Sequence, residues 1–492
     1  MRASLAMAMF GLMWLPTLVR AELTLPAVFS DHMVLQRDKP VKIWGWATAG
    51  KEVTGRFASQ QFATEADAEG RWTAILEPMK AGGPFSLTVA GDGSTAKVED
   101  VYVGEVWLCS GQSNMAMTVN RAANFEQEAA AAKFPQIRMF KESSAHATEP
   151  QEKPAGSWTV CSPETVAGFS ATAYFFGREL HQELGVPVGL VNSSVGGTSI
   201  ESWTSMPAQV NAPGVQPRLQ AWRSDDEAFD ADAAQARYEQ ALKAWEKRRD
   251  AAKAAGTPIP RRPAQPTQPR QDRNYPSNLF NGKINPLVGY TIRGAIWYQG
   301  ENNAGRGYAH VYEAQLRTLI GDWRTRWGQG DFPFAWVQLP NFRAEQREPS
   351  ETSGWVLVQE AMLKTLAVPH TGMAITIDIG EANDIHPRNK QDVGKRLALW
   401  ALHDVYEKDV VASGPVFKSA RRDGNQMVIE FDHVGEGLKS RESELTGFAI
   451  AGKDREFHWA EAKIDGPNRV IVSSPSVPEP AAVRYAWAAN PR

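Results

Sequence analysis

The chain has 492 residues, 42% of them hydrophobic and 22% charged, with a formal net charge of −3. That length is too great for one ordinary core, so about two or three domains are expected. The near-neutral balance gives no electrostatic reason to expect nucleic acid or an acidic membrane surface as a partner.

Residues 1–21 carry Arg2, an apolar run over 5–15 and the ending Val19-Arg20-Ala21. This is the pattern of a secretory signal cleaved after Ala21, so an exported protein, periplasmic or extracellular, is expected. The run is too short to span a bilayer comfortably, and no later stretch is long enough, so stable membrane insertion is not expected. In an exported chain Cys109 and Cys161 form either one disulfide or two buried free thiols, and the sequence leaves both open.

Residues 22–98 read as an N-terminal β-sandwich domain. "VKIWGWA" and "FSLTV" alternate as strands do, and "ADAEGRW" and "AGDGSTA" carry turn chemistry. From 99 to 410 the rhythm changes to α/β. Apolar runs at 106–109, 188–192, 294–299, 334–339 and 373–379 suit a parallel sheet covered on both faces. Ala173, Phe176, Leu180 and Leu184 form one helical stripe with Gly185 placed to end it, and a second helix is expected from about 312 to 327. The alternation predicts a doubly wound α/β domain.

Within it, 206–275 breaks the pattern. Ser224-Asp225-Asp226-Glu227 reads as a capping box opening a polar helix to about 255 with a thin stripe of Phe229, Tyr238, Leu242 and Trp245. A proline-rich return follows, and a surface excursion is expected. Residues 411–492 form a C-terminal β segment, with "QMVIEF", "GFAIAG", "RVIVSS" and "VRYAW" as strands.

In an open parallel sheet, ligands bind beyond the carboxyl ends of the strands. There the apolar runs end in "SGQSN" around Ser113, "NSSVGGT" around Gly196 and Gly197, "QGEN" from Gln299, and Asp378 followed by "DIHP" from Asp384. A serine hydroxyl needs a base to take its proton, and the base needs an orienting group. Among nine histidines, His386 is the best base: it sits just before a helix striped by Val393, Leu397, Trp400 and Ala401, with Asn389 as its cap. Asp384 is close enough in sequence to reach its ring. The Gly196-Gly197 turn, the Ser113 backbone and the Gln299 amide are candidate oxyanion donors. Glu301, Asn302 and Trp297, with Trp203, are candidate pocket residues. Each piece alone also reads as a turn, a cap or core packing; the case is their coincidence at strand ends. No Cys/His cluster of ligand spacing occurs, so neither a metal nor another cofactor is expected.

"GEVWLCSGQSNM", "VGLVNSSVGGTSIESW", "IWYQGENNA" and "NDIHPRNKQDVGKRLA" resemble the blocks of the sialate O-acetylesterase family, in the SGNH hydrolase superfamily, as do "FSDHMVLQRDKPVKIWGWA" and "VRYAWAANP". The resemblance implies a carbohydrate acetylesterase with a β-domain and a flavodoxin-like catalytic domain. It implies Ser113 as nucleophile, His386 as base, Gly196 or Gly197 as backbone oxyanion donor and Gln299 as the third-block side chain. The superfamily's acid position is Asn383 here, which leaves Asp384, Asp378 in reserve, or a Ser–His dyad held by a backbone carbonyl. The implied partner is an O-acetylated sugar or glycan, sialic acid first, with acetylxylan or another plant polysaccharide as the alternative. A non-catalytic carbohydrate-binding protein is the reading from a different class. Oligomeric state is left open.

Overall fold

The computed structural model describes residues 22–305, 307–349, 352–441 and 444–491; the expected signal segment lies outside the described residues. One strand organises the molecule. Ser94–Gly111 begins in an N-terminal sheet, where it pairs with Gly82–Gly91 and Val34–Gln36, and runs on into the central sheet. The residue at which the first domain was expected to end, 98, therefore lies inside this strand. Glu52–Phe57 continues that N-terminal sheet, pairing with Gly82–Gly91 and with Gln60–Glu65, and Val41–Trp46 and Arg71–Leu76 form a separate two-stranded sheet.

The central sheet runs in the order Thr371–Ala374, Phe334–Val337, Gly294–Tyr298, Ser94–Gly111, Val188–Ser194, Ile137–Glu142 and Gly156–Val160. All neighbours are parallel except the last pair. Alternation along the strand divides its side chains between two cores. Val106 and Leu108 join one with Trp297, Leu319 and Trp323. Trp107 and Cys109 join the other with Phe176, Leu397 and Trp400. Helices thus cover both faces: Tyr312–Trp327 and Gly354–Thr365 on one, Ala171–Leu184 and Lys390–Trp400 on the other. The ends match the sequence signals. The Ser170 hydroxyl accepts the Ala173 N–H, Asn389 accepts from Asp392, and Gly185 closes its helix in the left-handed conformation.

The expected capping box is not one. Ser224 lies in the last turns of a helix Gln216–Glu227, with Pro217 in its first turn and Leu219 and Trp222 buried. The polar helix Ala231–Ala255 starts at Asp230, whose carboxylate accepts the Ala233 N–H at 2.9 Å. Asp226 serves elsewhere, accepting from the backbone and guanidinium of Arg270. The proline-rich return packs back on the helix, with Trp245 Nε1 donating to Pro260 O at 2.7 Å. The C-terminal β segment forms sheets of four and three strands.

Cys109 and Cys161 are both free and buried. Burial pushes the Cys161 thiol up to about 12 and Cys109 higher still, so neither is a reactive thiolate. Among the described residues no helix is long and apolar enough to cross a membrane.

Candidate functional site

Parallel pairing brings the carboxyl ends of the central strands to one rim. At the end of its strand Gly111 has φ +138°, and a Cβ there would lie 2.1 Å from Tyr298 O. Only glycine permits that approach, and it lets Gln112 N–H reach Tyr298 O at 2.9 Å. Ser113 then opens the short helix Ser113–Ala116, half-buried at the rim. His386 comes from the loop before the helix Lys390–Trp400, and its Nε2 lies 2.8 Å from Ser113 Oγ. This pair, 273 positions apart in sequence, is the centre of the site. Burial pulls the His386 ring below its ordinary 6.5; Asp384 opposes the shift, and Lys390 and Arg121 add to it. A neutral imidazole against a serine hydroxyl can accept its proton.

The remaining candidates divide. The Gly196-Gly197 turn lies against the serine: a Cβ on Gly196 would stand 3.4 Å from Ser113 Cβ. Gly197 has φ +71°, and the backbone N–H groups of Ser113, Gly196 and Gly197 have no protein acceptor among the described residues. Asp384 lies beside His386, but its Oδ1 accepts the His386 backbone N–H at 2.8 Å and stands 3.7 Å from ring Nδ1. Asp378 is away from the ring, in a bidentate pair with Arg396.

Gln299 is fully buried and its amide faces inward. Nε2 donates to Thr198 O at 3.0 Å and Asn303 Oδ1 at 2.7 Å, and Oε1 accepts from Tyr312 at 2.9 Å. Trp297 is no pocket residue. It is 0% exposed and packs edge-on against Trp203 and Trp323 in the core, because its strand position faces the covering helices. Asn302 donates to Gly197 O at 2.8 Å and so braces the glycine turn.

Glu301 is buried beside the serine, where desolvation raises its carboxyl. It takes part in a network that motif reading did not bring out. Asn114 Nδ2 donates to Glu301 Oε1 at 2.5 Å and to Ile385 O at 3.0 Å, and Asn114 Oδ1 accepts from Lys390 Nζ at 2.8 Å. Lys390 Nζ also donates to Pro387 O at 2.6 Å, and burial lowers its ammonium to about 7. The available signal was Lys390's place, four residues beyond His386 at the first position of a helix. Two exposed arginines flank the rim as well. Arg273 Nη2 would stand 3.6 Å from a Cβ on Gly197, Arg121 lies near enough to His386 to affect its charge, and neither has an ion-pair partner among the described residues. Among the described residues no three His, Cys, Asp or Glu side chains gather as a metal site.

Residues 103–246 and 268–403 match the model of a carbohydrate esterase family described as sialic acid-specific acetylesterase. The sialate O-acetylesterase of Rattus norvegicus is 30% identical over 508 residues, covering 94% of this chain and 89% of the relative. The human sialate O-acetylesterase is 30% identical over 425 residues, covering 79% and 72%. A crystal structure of a carbohydrate acetylesterase from Xanthomonas citri superposes with a TM-score of 0.79 at 38% identity, covering 95% of both chains. The class these relatives define is carbohydrate esterase. Within it, the chain belongs to the sialic acid-specific acetylesterase family, as its sequence blocks led us to expect.

Proposed function

We propose that the protein is a serine carboxylic-ester hydrolase that removes O-acetyl groups from sugars, with an SGNH-type, doubly wound catalytic domain. The observation that carries this reading is the 2.8 Å contact between His386 Nε2 and Ser113 Oγ at the carboxyl rim of a parallel sheet. His386, neutral because burial holds its ring below 6.5, takes the serine proton as Ser113 attacks the acetyl carbonyl. Charge collects on an oxygen facing the backbone N–H groups of Ser113 and the Gly196-Gly197 turn, each such donor contributing about 10²–10³ in rate. His386 then protonates the departing sugar hydroxyl, and water releases acetate by the reverse sequence. Gln299 supports the rim from behind, its amide already used within the protein.

The family points to O-acetylated sialic acid. Arg121 and Arg273 beside the site, without ion-pair partners among the described residues, support an acidic sugar over a neutral xylan, since a guanidinium pairs well with a carboxylate. We further read the protein as exported on the strength of residues 1–21.

The test is acetate release from p-nitrophenyl acetate by wild type, Ser113→Ala and His386→Ala. Turnover by wild type and a loss of at least ~10³-fold in both variants is the expected result. Full activity in Ser113→Ala would overturn the mechanism, and sugar binding without acetate release would favour a carbohydrate-binding protein. Acetylated sialic acid and acetylated xylan are then compared as substrates. Arg121→Gln and Arg273→Gln are expected to raise KM for the acidic sugar alone.

A further inference from the structure

A serine hydrolase needs its histidine held in one orientation, and the usual holder is a carboxylate on the ring nitrogen opposite the serine. Here the nearest carboxylate oxygen, Asp384 Oδ1, is 3.7 Å from Nδ1, too long for a hydrogen bond. Asp384 is also exposed. Something else must fix the ring against Ser113.

We propose that Asn114, the residue after the serine, is the positioning residue: its amide grips the backbone on both sides of His386, at Ile385 O directly and at Pro387 O through Lys390. The two arms are short. Asn114 Nδ2 donates to Ile385 O at 3.0 Å; Asn114 Oδ1 accepts from Lys390 Nζ at 2.8 Å, and Nζ donates to Pro387 O at 2.6 Å. The carbonyls flanking the histidine are thus tied to the residue adjoining the nucleophile, so a shift of either catalytic group breaks bonds at the other.

The grip is shielded from water. Asn114 and Lys390 are each 0% exposed. The second Nδ2 hydrogen of Asn114 goes to Glu301 Oε1, and its backbone oxygen accepts from Thr172 Oγ1 at 3.2 Å. The Lys390 ammonium also lies over the Tyr298 ring, 5.4 Å from its centre. A buried ammonium is costly wherever it lacks partners, which confines it to this one arrangement. Glu301, Glu381 and Asp384 favour its charge and Arg121 opposes it; Arg121 and Asp384 act likewise, with opposite signs, on His386.

This inference rests on the Ser–His esterase reading, so wild type and Ser113→Ala are assayed first with p-nitrophenyl acetate: inactivity of wild type would sink that reading and this inference with it, whereas with an active wild type the variants below test this inference alone. Asn114→Ala and Lys390→Met are then compared for kcat, KM and the pH profile of kcat/KM, with folding followed by circular dichroism. Asn114→Ala is expected to lower kcat by about 10²-fold, the scale of a misplaced catalytic group, with KM within twofold. Lys390→Met is expected to lower kcat as well. It is also expected to move the acidic limb to higher pH, because a cation that disfavours the imidazolium has been removed and His386 holds its proton longer. A merely structural lysine would leave that limb in place. Folded Asn114→Ala with kcat within twofold of wild type would overturn the proposal. If Asn114→Ala does not fold, Lys390→Met decides: an unmoved limb and an unchanged kcat overturn it.

Discussion

Asp384 Oδ1 accepts the backbone N–H of His386 at 2.8 Å, while the same oxygen stands 3.7 Å from the ring Nδ1. The carboxylate therefore caps the loop and acts on the imidazole through space. Its charge raises the affinity of the ring for a proton, against the larger effect of burial.

Asp384→Asn keeps an oxygen for the backbone N–H and removes the charge. We expect kcat to fall by no more than about tenfold, against the roughly 10⁴ seen when an acid sets the histidine tautomer. The sign of the pH effect follows from the same charge. With the anion gone the His386 pKa drops further, so the acidic limb of kcat/KM, already below 6.5 in wild type, moves to lower pH. A pH–rate profile reads both; a limb that moved upward would contradict the through-space account.

Gln299 was expected as an oxyanion donor, yet its buried amide is bonded to Thr198, Asn303 and Tyr312. Gln299→Ala leaves those buried groups short of partners, at about 1–3 kcal/mol each. The expected outcome is a lower Tm with a rate loss under about tenfold below that temperature, against 10²–10³ for a lost oxyanion donor. Differential scanning calorimetry beside the esterase assay separates the two, and a normal Tm with a ~10²-fold slower rate would restore Gln299 to the oxyanion hole.

These two residues mark what the chain reveals before folding. The meeting of Ser113 and His386 was legible, because apolar runs ending in small polar knots place both at strand or helix ends and their blocks match a family. The direction a side chain faces was not. Trp297 and Gln299 are two positions apart at one strand end, and only the covering helices make both of them inward. The strand Ile137–Glu142 escaped notice because Arg138 and Lys141 interrupt its apolar pattern. Arg138 is buried nonetheless, its charge matched by Asp100 at 2.8 Å, and hydropathy cannot register a partner 38 residues away. Lys390 was missed for the same reason: its partners come from the serine loop and the histidine loop.

The insertion is more than a surface excursion where it meets the site. Glu201, just past the glycine turn, accepts Arg218 Nε at 2.6 Å, Trp222 Nε1 at 3.1 Å and Asn303 Nδ2 at 3.0 Å. Side-chain exposure is 8% for Arg218 and 1% for Glu201, so removing the arginine strands a buried carboxylate. Arg218→Ala is expected to cost about 3–5 kcal/mol, seen as a lower urea midpoint, and Asn303 links the damage to Gln299. An unchanged midpoint would show the insertion to be uncoupled from the rim.

The C-terminal residues reach the histidine loop by a similar relay. Asn490 Nδ2 donates to Arg343 O at 2.7 Å, and its Oδ1 accepts from Asn341 Nδ2 at 3.1 Å. Arg343 N–H in turn donates to Ala382 O at 2.9 Å, and Asn341 Oδ1 accepts from Gly380 N–H at 2.6 Å. Residues 380–382 lead into Asp384, whose N–H donates to Glu381 O. One asparagine near the chain end thus steadies the segment that delivers His386, a role for the "AANP" block that its distance from the serine conceals. Asn490→Ala is expected to speed amide hydrogen exchange across 380–386 and to lower kcat by less than the ~10²-fold expected of a group acting directly on the proposed Ser113–His386 pair. Faster exchange at 341–346 alone, with 380–386 protected as in wild type, would confine the role of Asn490 to its own loop.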